Sequence, residues 1–132
     1  MARPTPWPQT AIRVSTLADW GRWRPGRQGS GYAKLLLATL PWPIGWDAYL
    51  LRYRACQGID WHTDPVPGKR HFRLNIELWR SGRGGLFECE GPVRRWGRAL
   101  VFRPDHSLHR VLAVESGQRW VLSVGWVLPE AA

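Results

Sequence analysis

The sequence predicts a mainly β fold, an antiparallel sandwich or barrel, built as a single domain. From Trp46 onward, short runs of β-branched and aromatic residues are separated by Gly, Pro and Asp clusters, which is typical of antiparallel all-β architectures. The clearest run, His71 to Trp79, alternates apolar and polar side chains with the two-residue period of a strand. The length of 132 residues suffices for one hydrophobic core and excludes two independent ones.

Composition narrows the functional classes. Hydrophobic residues make up 44% of the chain and charged residues 22%, as in ordinary globular domains, and no apolar run is long enough to cross a bilayer. Disorder and membrane spanning are therefore disfavoured. The net charge of +9 is compatible with a nucleic acid partner, an acidic substrate or simple solubility. The ten tryptophans are expected in the core or lining a cleft, since indole buries a large area.

The cysteines and the first residues predict the compartment. Cys56 and Cys89 lack the number and spacing of a disulfide scaffold or a zinc site, so buried free thiols are expected. Residues 1–10 lack the apolar stretch of a signal peptide. Together these features predict a reducing, cytoplasmic setting.

The first third of the chain predicts an arm and a short helical brace. Proline-rich residues 1–10 are expected to form a flexible arm before a domain that spans residues 11–132. Thr16, with Asp19 three residues later, is a capping signal for a short helix up to Trp20. Ser30 precedes a second predicted helix, Gly31 to Leu40, which Pro41 must terminate. We therefore expect one or two short helices over about 15–41 and a β core over about 46–128.

Six or seven strands are predicted in that core. In His71 to Trp79, alternate side chains lie on opposite faces: an apolar face made by Phe72, Leu74, Ile76 and Leu78, and a polar face made by Arg73, Asn75, Glu77 and Trp79. The other strands are expected between Gly, Pro and Asp turns, at Ala48 to Tyr53, Leu86 to Cys89, Ala99 to Phe102, His109 to Val114 and Arg119 to Leu128.

His62 and Asp64 form the first candidate metal-binding pair. They are two residues apart, so on an extended chain both side chains project to the same side. His109 opens a later strand, and two histidines with one carboxylate suit non-haem Fe(II), because they leave coordination positions for co-substrate and dioxygen. His106 competes for the ligand role, but it follows Pro104-Asp105 in a predicted loop, so His109 is preferred.

Arg119 is the candidate anion-binding residue. It opens an almost wholly apolar strand, where a buried charge needs an anionic partner. If the strands of His109 and Arg119 form a hairpin through Glu115-Ser116-Gly117, both side chains face one interior. In that register their α-carbons lie about 13 Å apart at ~3.3 Å per residue, a gap that a metal, a short dicarboxylate and an arginine side chain would fill.

These residues resemble the Fe(II)- and 2-oxoglutarate-dependent oxygenases, in their prolyl-4-hydroxylase-like branch. The resemblance runs from about Tyr49 to Trp126 and rests on the order of several short matches: Tyr53, His62-Thr63-Asp64, Arg73-Leu74-Asn75, Gly84-Gly85-Leu86-Phe87, Leu100-Val101-Phe102, His109-Arg110-Val111 and Gly117-Gln118-Arg119. It implies a double-stranded β-helix, which is a distorted, cupin-like jelly roll, with the metal inside its open end.

The resemblance also implies roles for single residues. His62, Asp64 and His109 would be the iron ligands and so the catalytic residues, and Arg119 would pair with the distal carboxylate of 2-oxoglutarate. Tyr53 and Ser123 would hold the same carboxylate, and Asn75 would contact co-substrate or substrate. The cofactors implied are Fe(II), 2-oxoglutarate and O2. The implied reaction hydroxylates an unactivated C–H bond and releases succinate and CO2.

The substrate implied is an amino-acid-like small molecule or a peptide side chain. Arg73, His71 and Trp61 are the expected substrate contacts, Arg73 because its charge suits a substrate carboxylate. The alkylation-repair members of the superfamily carry a second arginine in a compact run that Arg119 does not continue, so nucleic acid is not expected as a partner. A chain this short leaves little room for a helical brace, so a homodimer that covers the sheet is a further expectation.

Two other functional classes stay open. The charge of +9 and the arginines interleaved with tryptophans, Arg22, Arg24 and Arg27 beside Trp20 and Trp23, fit a non-enzymatic basic module that binds nucleic acid, with steeply salt-dependent affinity. The other class is a cupin-like metal protein without 2-oxoglutarate chemistry, which would bind metal without 2-oxoglutarate. Arg119 disfavours that second class, because such a protein has no general need for an arginine at that place.

Overall fold

Twelve β-strands make up the regular structure in a computed structural model that describes residues 21–26, 31–40 and 45–129. Their bounds are β1 (Trp23–Pro25), β2 (Ala33–Leu40), β3 (Trp46–Tyr53), β4 (Ile59–His62), β5 (Lys69–Trp79), β6 (Arg83–Gly84), β7 (Phe87–Cys89), β8 (Arg94–Trp96), β9 (Ala99–Phe102), β10 (His109–Val111), β11 (Val114–Ser116) and β12 (Arg119–Pro129). The predicted mainly β, jelly-roll-like fold is confirmed. The predicted arm (1–10) and the helix at Thr16 to Trp20 lie outside the described residues.

The strands form one large and two small antiparallel sheets. The major sheet has the order β1-β2-β3-β12-β5-β9-β8, the minor sheet the order β4-β10-β7, and β11 pairs with β6. The core lies between the major and minor sheets, where Tyr53, Leu100 and Phe102 of the major sheet cluster with Phe87 and Val111 of the minor sheet. We call the side of the major sheet that faces this core its inner face.

The inner face of the major sheet carries polar residues as well as apolar ones. Along β12, the buried residues Arg119, Val121 and Ser123 alternate with partly exposed neighbours. In β5 the buried residues are His71 and Asn75, on the face that the sequence predicts to be polar. Buried polar side chains need partners, so this face is where a binding site is expected.

The helix predicted over Gly31 to Leu40 is wrong, because this segment forms β2. Its alanine, lysine and leucine residues favour a helix locally, but its backbone pairs with β1 on one side and β3 on the other. Leu36 becomes 1% exposed in this arrangement. Pairing and burial thus outweigh the local propensity. No segment of residues 21–26, 31–40 or 45–129 is a helix that could span a membrane.

The predicted hairpin between His109 and Arg119 does not form. The segment His109 to Val114 divides between β10 and β11. β10 pairs with β4 and β7, and β11 pairs with β6. β12 instead pairs with β3 and β5. His109 and Arg119 therefore belong to different sheets, and both point into the space between them because both are buried.

The free thiols were also expected to be buried. Cys56 is exposed instead, and it has a positive φ of 68°, which places it in a turn. Its backbone N–H donates to the Val114 carbonyl. Cys89 is partly buried in β7.

Candidate metal centre and anion-binding cavity

His62, Asp64 and His109 converge on one point, with their candidate ligand atoms all within 4.8 Å of one another. The Asp64 Oδ2 atom lies 3.6 Å from His62 Nε2 and 3.3 Å from His109 Nε2. Ligand atoms at right angles around a metal bound at about 2.1 Å are about 3 Å apart, so the two distances from Asp64 are close to those around a bound metal. Two imidazoles and one carboxylate on one side of a cation form the donor set that suits Fe(II).

Backbone contacts hold both imidazoles in the orientation that a metal requires. His62 Nδ1 lies 2.7 Å from the Asp60 carbonyl oxygen, and His109 Nδ1 lies 2.9 Å from that of Ser107. Since a carbonyl only accepts, each Nδ1 carries the proton and each Nε2 is turned toward Asp64. This fixes the tautomer and aims the lone pairs, as partners of metal-binding histidines commonly do.

Asp64 is held as a carboxylate at the centre of the cluster. Burial would raise the pKa of its carboxyl, but hydrogen bonds from His109 and His62, together with their charges, hold that pKa well below its ordinary value. The Asp64 N–H donates to the Pro104 carbonyl over 2.6 Å. The ionised carboxylate is the form that binds a cation.

Strand pairing brings the two histidines together. His109 of β10 is the register partner of His62 of β4, and a bulge follows between His109 and Val111. The ring centroids of the two histidines are 4.2 Å apart. Phe102 of the major sheet lies with its ring 4.9 Å from that of His109, which closes the core side of the cluster with apolar surface. His106, the competing candidate, is exposed in a turn and is not part of the cluster.

His71 is buried and supports the metal cluster from the major sheet. Its Nδ1 lies 3.2 Å from the Asp64 carbonyl oxygen, so Nδ1 donates there. Burial, and next the charge of Arg73, lower the pKa of His71, which favours the neutral imidazole. His71 therefore contacts the backbone of a candidate ligand, and its predicted contact with substrate stays a prediction.

Arg119 lies at the start of β12, 4% exposed. Its Nε donates to Glu77 Oε2 over 3.0 Å, and its guanidinium lies over the Tyr53 ring at 5.4 Å. A cavity of about 350 Å³ opens beside it, with Asn75, Phe87 and Leu100 also in its lining. Among the described residues, the bond to Glu77 is the only hydrogen bond of this guanidinium, so its two terminal amino groups are available to an anion in the cavity.

Tyr53 is the register partner of Arg119 on β3 and is 3% exposed. Its ring stacks on Tyr32 with centroids 4.8 Å apart. Burial, followed by the nearby Tyr32, raises the pKa of the Tyr53 hydroxyl far above its ordinary value. Tyr53 therefore stays protonated and can donate a hydrogen bond.

Ser123 and Asn75 are register partners on the inner face, four residues along β12 from Arg119. The Ser123 hydroxyl donates to Asn75 Oδ1 over 2.6 Å and accepts from Arg73 Nη1 over 2.8 Å. Arg73 also donates from Nη2 to Asp47 Oδ1 over 2.6 Å. The structure thus brings three of the predicted residues, Arg73, Asn75 and Ser123, into one hydrogen-bonded network.

Trp61, the third predicted substrate contact, lies apart from the inner face that carries Arg73 and His71. It neighbours His62 in β4 but is 37% exposed, and its ring is covered by the Arg110 guanidinium at 4.5 Å. This places it at the surface of the minor sheet.

Sequence reasoning missed Glu77, Asp47 and Gly125 as site residues. Glu77 was visible only as one member of a polar face. The partnership of Asp47 and Arg73 across Gly125 depends on the register of β3, β12 and β5, which no local pattern in the sequence reveals. The polar alternation of β5 was the one available signal.

Comparison with known proteins gives a fold and no family. No protein-family model and no curated protein matches the sequence. The structure is similar to a prolyl-4-hydroxylase of Pseudomonas putida, with a TM-score of 0.60 and 14% identity over 83% of this chain and 78% of that one. It is also similar to a viral collagen prolyl hydroxylase of Paramecium bursaria Chlorella virus-1, solved with 2-oxoglutarate, with a TM-score of 0.50 and 21% identity over 67% and 62% of the two chains.

A third solved structure, KdgF of a Halomonas species, has a TM-score of 0.51 and 20% identity over 83% of this chain and 87% of that one. At these identities the likenesses establish a shared jelly-roll-like fold.

Proposed function

We propose that this chain is an Fe(II)- and 2-oxoglutarate-dependent oxygenase that hydroxylates an unactivated C–H bond of an amino-acid-like small molecule or a peptide side chain. The observation that carries the proposal is the convergence of His62, Asp64 and His109, with both Nε2 atoms turned to one carboxylate. The likeness to two prolyl hydroxylases in fold supports it. Small-molecule or peptide partners, a homodimer and a cytoplasmic location stay predictions.

Three residues would hold the metal and one arginine the co-substrate. His62, Asp64 and His109 supply a facial set of ligands. When bound, Fe(II) supplies the redox chemistry by which dioxygen converts 2-oxoglutarate to succinate and CO2 and hydroxylates the substrate. Arg119 would bind the distal carboxylate of 2-oxoglutarate through its two terminal amino groups, since its Nε is already bonded to Glu77.

Burial supports this role of Arg119. A charge-assisted hydrogen bond is stronger where water is excluded, and Arg119 is 4% exposed beside an open cavity. Glu77 shares its carboxylate between Arg119 and Arg80, so it orients the guanidinium of Arg119 while leaving net positive charge at the cavity. The Tyr53 hydroxyl would add one donor to the same carboxylate.

The proposal is tested by anaerobic titration of the metal-free protein with Fe(II) and then 2-oxoglutarate, recording the visible charge-transfer band of the iron chelate. We expect a band that is lost in His62→Ala and His109→Ala and kept in the matched control His106→Ala, which changes an exposed histidine outside the cluster. Arg119→Ala should need about tenfold or more 2-oxoglutarate, since it loses a charge-assisted contact.

The same titration separates the alternatives. A folded wild-type protein without a band, or a band that survives His62→Ala, would refute the proposal. Metal binding without any effect of 2-oxoglutarate would favour a metal protein of other chemistry. Duplex binding that weakens steeply with salt and survives His62→Ala would favour the basic nucleic-acid module.

A further inference from the structure

Asp47, Gly125 and Arg73 lie side by side across three strands of the inner face. Asp47 of β3 pairs with Gly125 of β12, and Gly125 pairs with Arg73 of β5. A Cβ at position 125 would overlap Arg73 Nη2 and would lie 2.5 Å from its Cζ and 2.9 Å from its Nε. Only glycine leaves room for the guanidinium to lie flat over β12 and reach Asp47.

The guanidinium of Arg73 is held in place by two hydrogen bonds, but it has further N–H groups that bond to nothing in the described part of the chain. Nη2 donates to Asp47 and Nη1 to Ser123, and Ser123 is itself fixed by Asn75. A guanidinium has five N–H groups. Within the described part of the chain, the other three N–H groups of Arg73 meet no hydrogen-bond acceptor, and Asp47 Oδ2 meets no donor. The side chains of Arg73 and Asp47 are 15% and 25% exposed, so the pair is rigidly placed and reachable.

The pair lies on the inner face of the major sheet next to the residues that contact the metal centre, and it is separate from Arg119. On the inner face of β5, Arg73 is flanked by His71, which contacts the Asp64 backbone, and by Asn75. Phe102, the register partner of Arg73, has its ring against that of His109. Glu77, which binds Arg119, comes at the far end of the same face. Arg73 and Arg119 are thus two separate arginines on the inner face of the major sheet, four residues of β5 apart as measured from Arg73 to Glu77.

A co-substrate with one distal carboxylate requires only one of these arginines. Since Arg119 has the cavity and the free amino groups for it, Arg73 is left for a second carboxylate. Asp47 beside it offers the opposite charge. A carboxylate and an ammonium joined through one carbon are the two charged groups of an α-amino acid. They match this pair in sign and in being adjacent, whereas a lone anion would meet the repulsion of Asp47.

We infer that Arg73 and Asp47 form the substrate subsite for a free α-amino acid, with the substrate carboxylate on the unused N–H groups of Arg73 and the ammonium on Asp47 Oδ2. Gly125 is then the specificity-determining position, because it admits the guanidinium to this place. This inference rests on the proposed function, which supplies the reaction: the substrate C–H becomes C–OH with one oxygen atom of O2, and the other oxygen atom enters succinate as 2-oxoglutarate loses CO2.

The test measures binding first, without turnover. Saturation-transfer NMR with the proteinogenic amino acids identifies ligands of the protein, alone and with Zn(II) and 2-oxoglutarate added. Each ligand is then compared with its N-acetyl and its carboxamide derivatives. We expect free amino acids to bind and both derivatives to bind about tenfold or more weakly, because each loses one charge-assisted contact.

Variants assign each end of the ligand. Arg73→Lys and Gly125→Ala should each weaken binding of the free amino acid about tenfold or more. Arg73→Lys loses the planar guanidinium, and Gly125→Ala displaces it. Asp47→Asn should remove most of the preference for the free over the N-acetylated ligand, an effect that a structural role alone would not produce. Arg70→Lys is the matched control, since Arg70 lies on the same strand and bonds Pro129; it should bind as wild type. Circular dichroism verifies folding of each variant.

Equal binding of free and capped ligands, wild-type binding by Arg73→Lys, or no amino acid ligand under either condition would overturn the inference. Its failure is distinguishable from failure of the proposed function. An iron and 2-oxoglutarate band without an amino acid site overturns the inference alone, whereas amino acid binding with the expected preferences but no such band overturns the proposed function alone.

Discussion

At the scale of single residues, Glu77 holds two arginines with one carboxylate. Its oxygens accept from Arg80 and Arg119. Burial would raise the pKa of Glu77, but these hydrogen bonds and charges hold it below its ordinary value of 4.5. A group whose pKa is lowered by folding stabilises the folded state above its unfolded pKa, and that contribution disappears as the pH falls through the folded pKa.

We therefore predict that Glu77→Gln lowers the free energy of unfolding at pH 7, and that the difference from wild type shrinks steadily once the pH falls below 4.5. Urea unfolding at a series of pH values measures both curves. Glu90→Gln, which changes an exposed residue, should leave the stability unchanged across the series. A Glu77→Gln difference that grows toward acid would contradict the assignment of the ion pairs.

Ser123 gives a second prediction at this scale. Its hydroxyl is 1% exposed and joins Asn75 to Arg73. Ser123→Ala leaves a buried amide oxygen and a guanidinium N–H without a partner, which typically costs about 1–3 kcal/mol. Urea unfolding should show this loss. Ser116→Ala, at an exposed position of β11, is the comparison, and equal stability of the two variants would mean that the network contributes nothing.

The pairing of His62 with Asp64 in the metal cluster could be predicted because it depends only on their separation along the chain. His62 ends β4 and Asp64 follows two residues later, and in an extended chain two such side chains project to the same side. Asp47 and Glu77 could not be assigned roles in the same way, since each acquires its partner from a strand that is distant in sequence.

At the scale of strands, the pairing of β4 with β10 determines whether the metal cluster exists. Gly58, just before β4, packs against the backbone at and just after the end of β10. A Cβ at position 58 would be 2.6 Å from the Val111 carbonyl oxygen and 2.9 Å from the Ala113 nitrogen. Backbone atoms cannot move aside as a flexible side chain can. The two strands therefore approach this closely only with glycine at position 58.

Gly58→Ala is predicted to push β4 away from β10 and to weaken Fe(II) binding about tenfold or more, as loss of ligand support commonly does. Anaerobic Fe(II) titration with a competing chelator measures the affinity. The control is Gly68→Asn, where a Cβ would meet no atom within 4 Å and where asparagine tolerates the positive φ of 69°. Unchanged affinity in Gly58→Ala would show that the strand spacing is not critical.

The strands themselves were predictable to unequal degrees. β5 and β9 follow from alternation and from the turns around them, because their pattern is local. The sequence of β2 predicts a helix, and this is wrong, since residues such as Lys34 and Leu35 suit either structure and only the neighbouring strands decide. The supposed hairpin of His109 and Arg119 failed because Glu115 to Gly117 has a turn composition but joins strands that belong to different sheets.

At the scale of the whole molecule, β12 is the centre of the major sheet. It pairs along its length with β3 on one side and β5 on the other, and it carries Arg119, Ser123 and Gly125. β1 and β8 are the edges of the same sheet. Amide groups in the centre open only with the largest part of the structure, whereas edges open locally.

We predict that the amide hydrogens of Leu122 and Val124 exchange among the slowest in the protein and that those of β1 and β8 exchange rapidly. Two-dimensional NMR after transfer to heavy water measures this order. Fast exchange in the middle of β12 would contradict the sheet order. The homodimer expected from the sequence stays a prediction that sedimentation velocity can test on the same sample.

The metal ligands come from two segments that are far apart in the chain, and this separation has a consequence for folding. The chain between Asp64 and His109 includes β5 and β9, which belong to the major sheet. A bound cation therefore acts as a cross-link that closes a long loop of the polypeptide, and loop closure of this kind stabilises the native chain against unfolding and proteolysis. Removal of the ion would therefore be expected to make the segment between Asp64 and His109 easier to cleave, even though the strands that carry the ligands are unchanged.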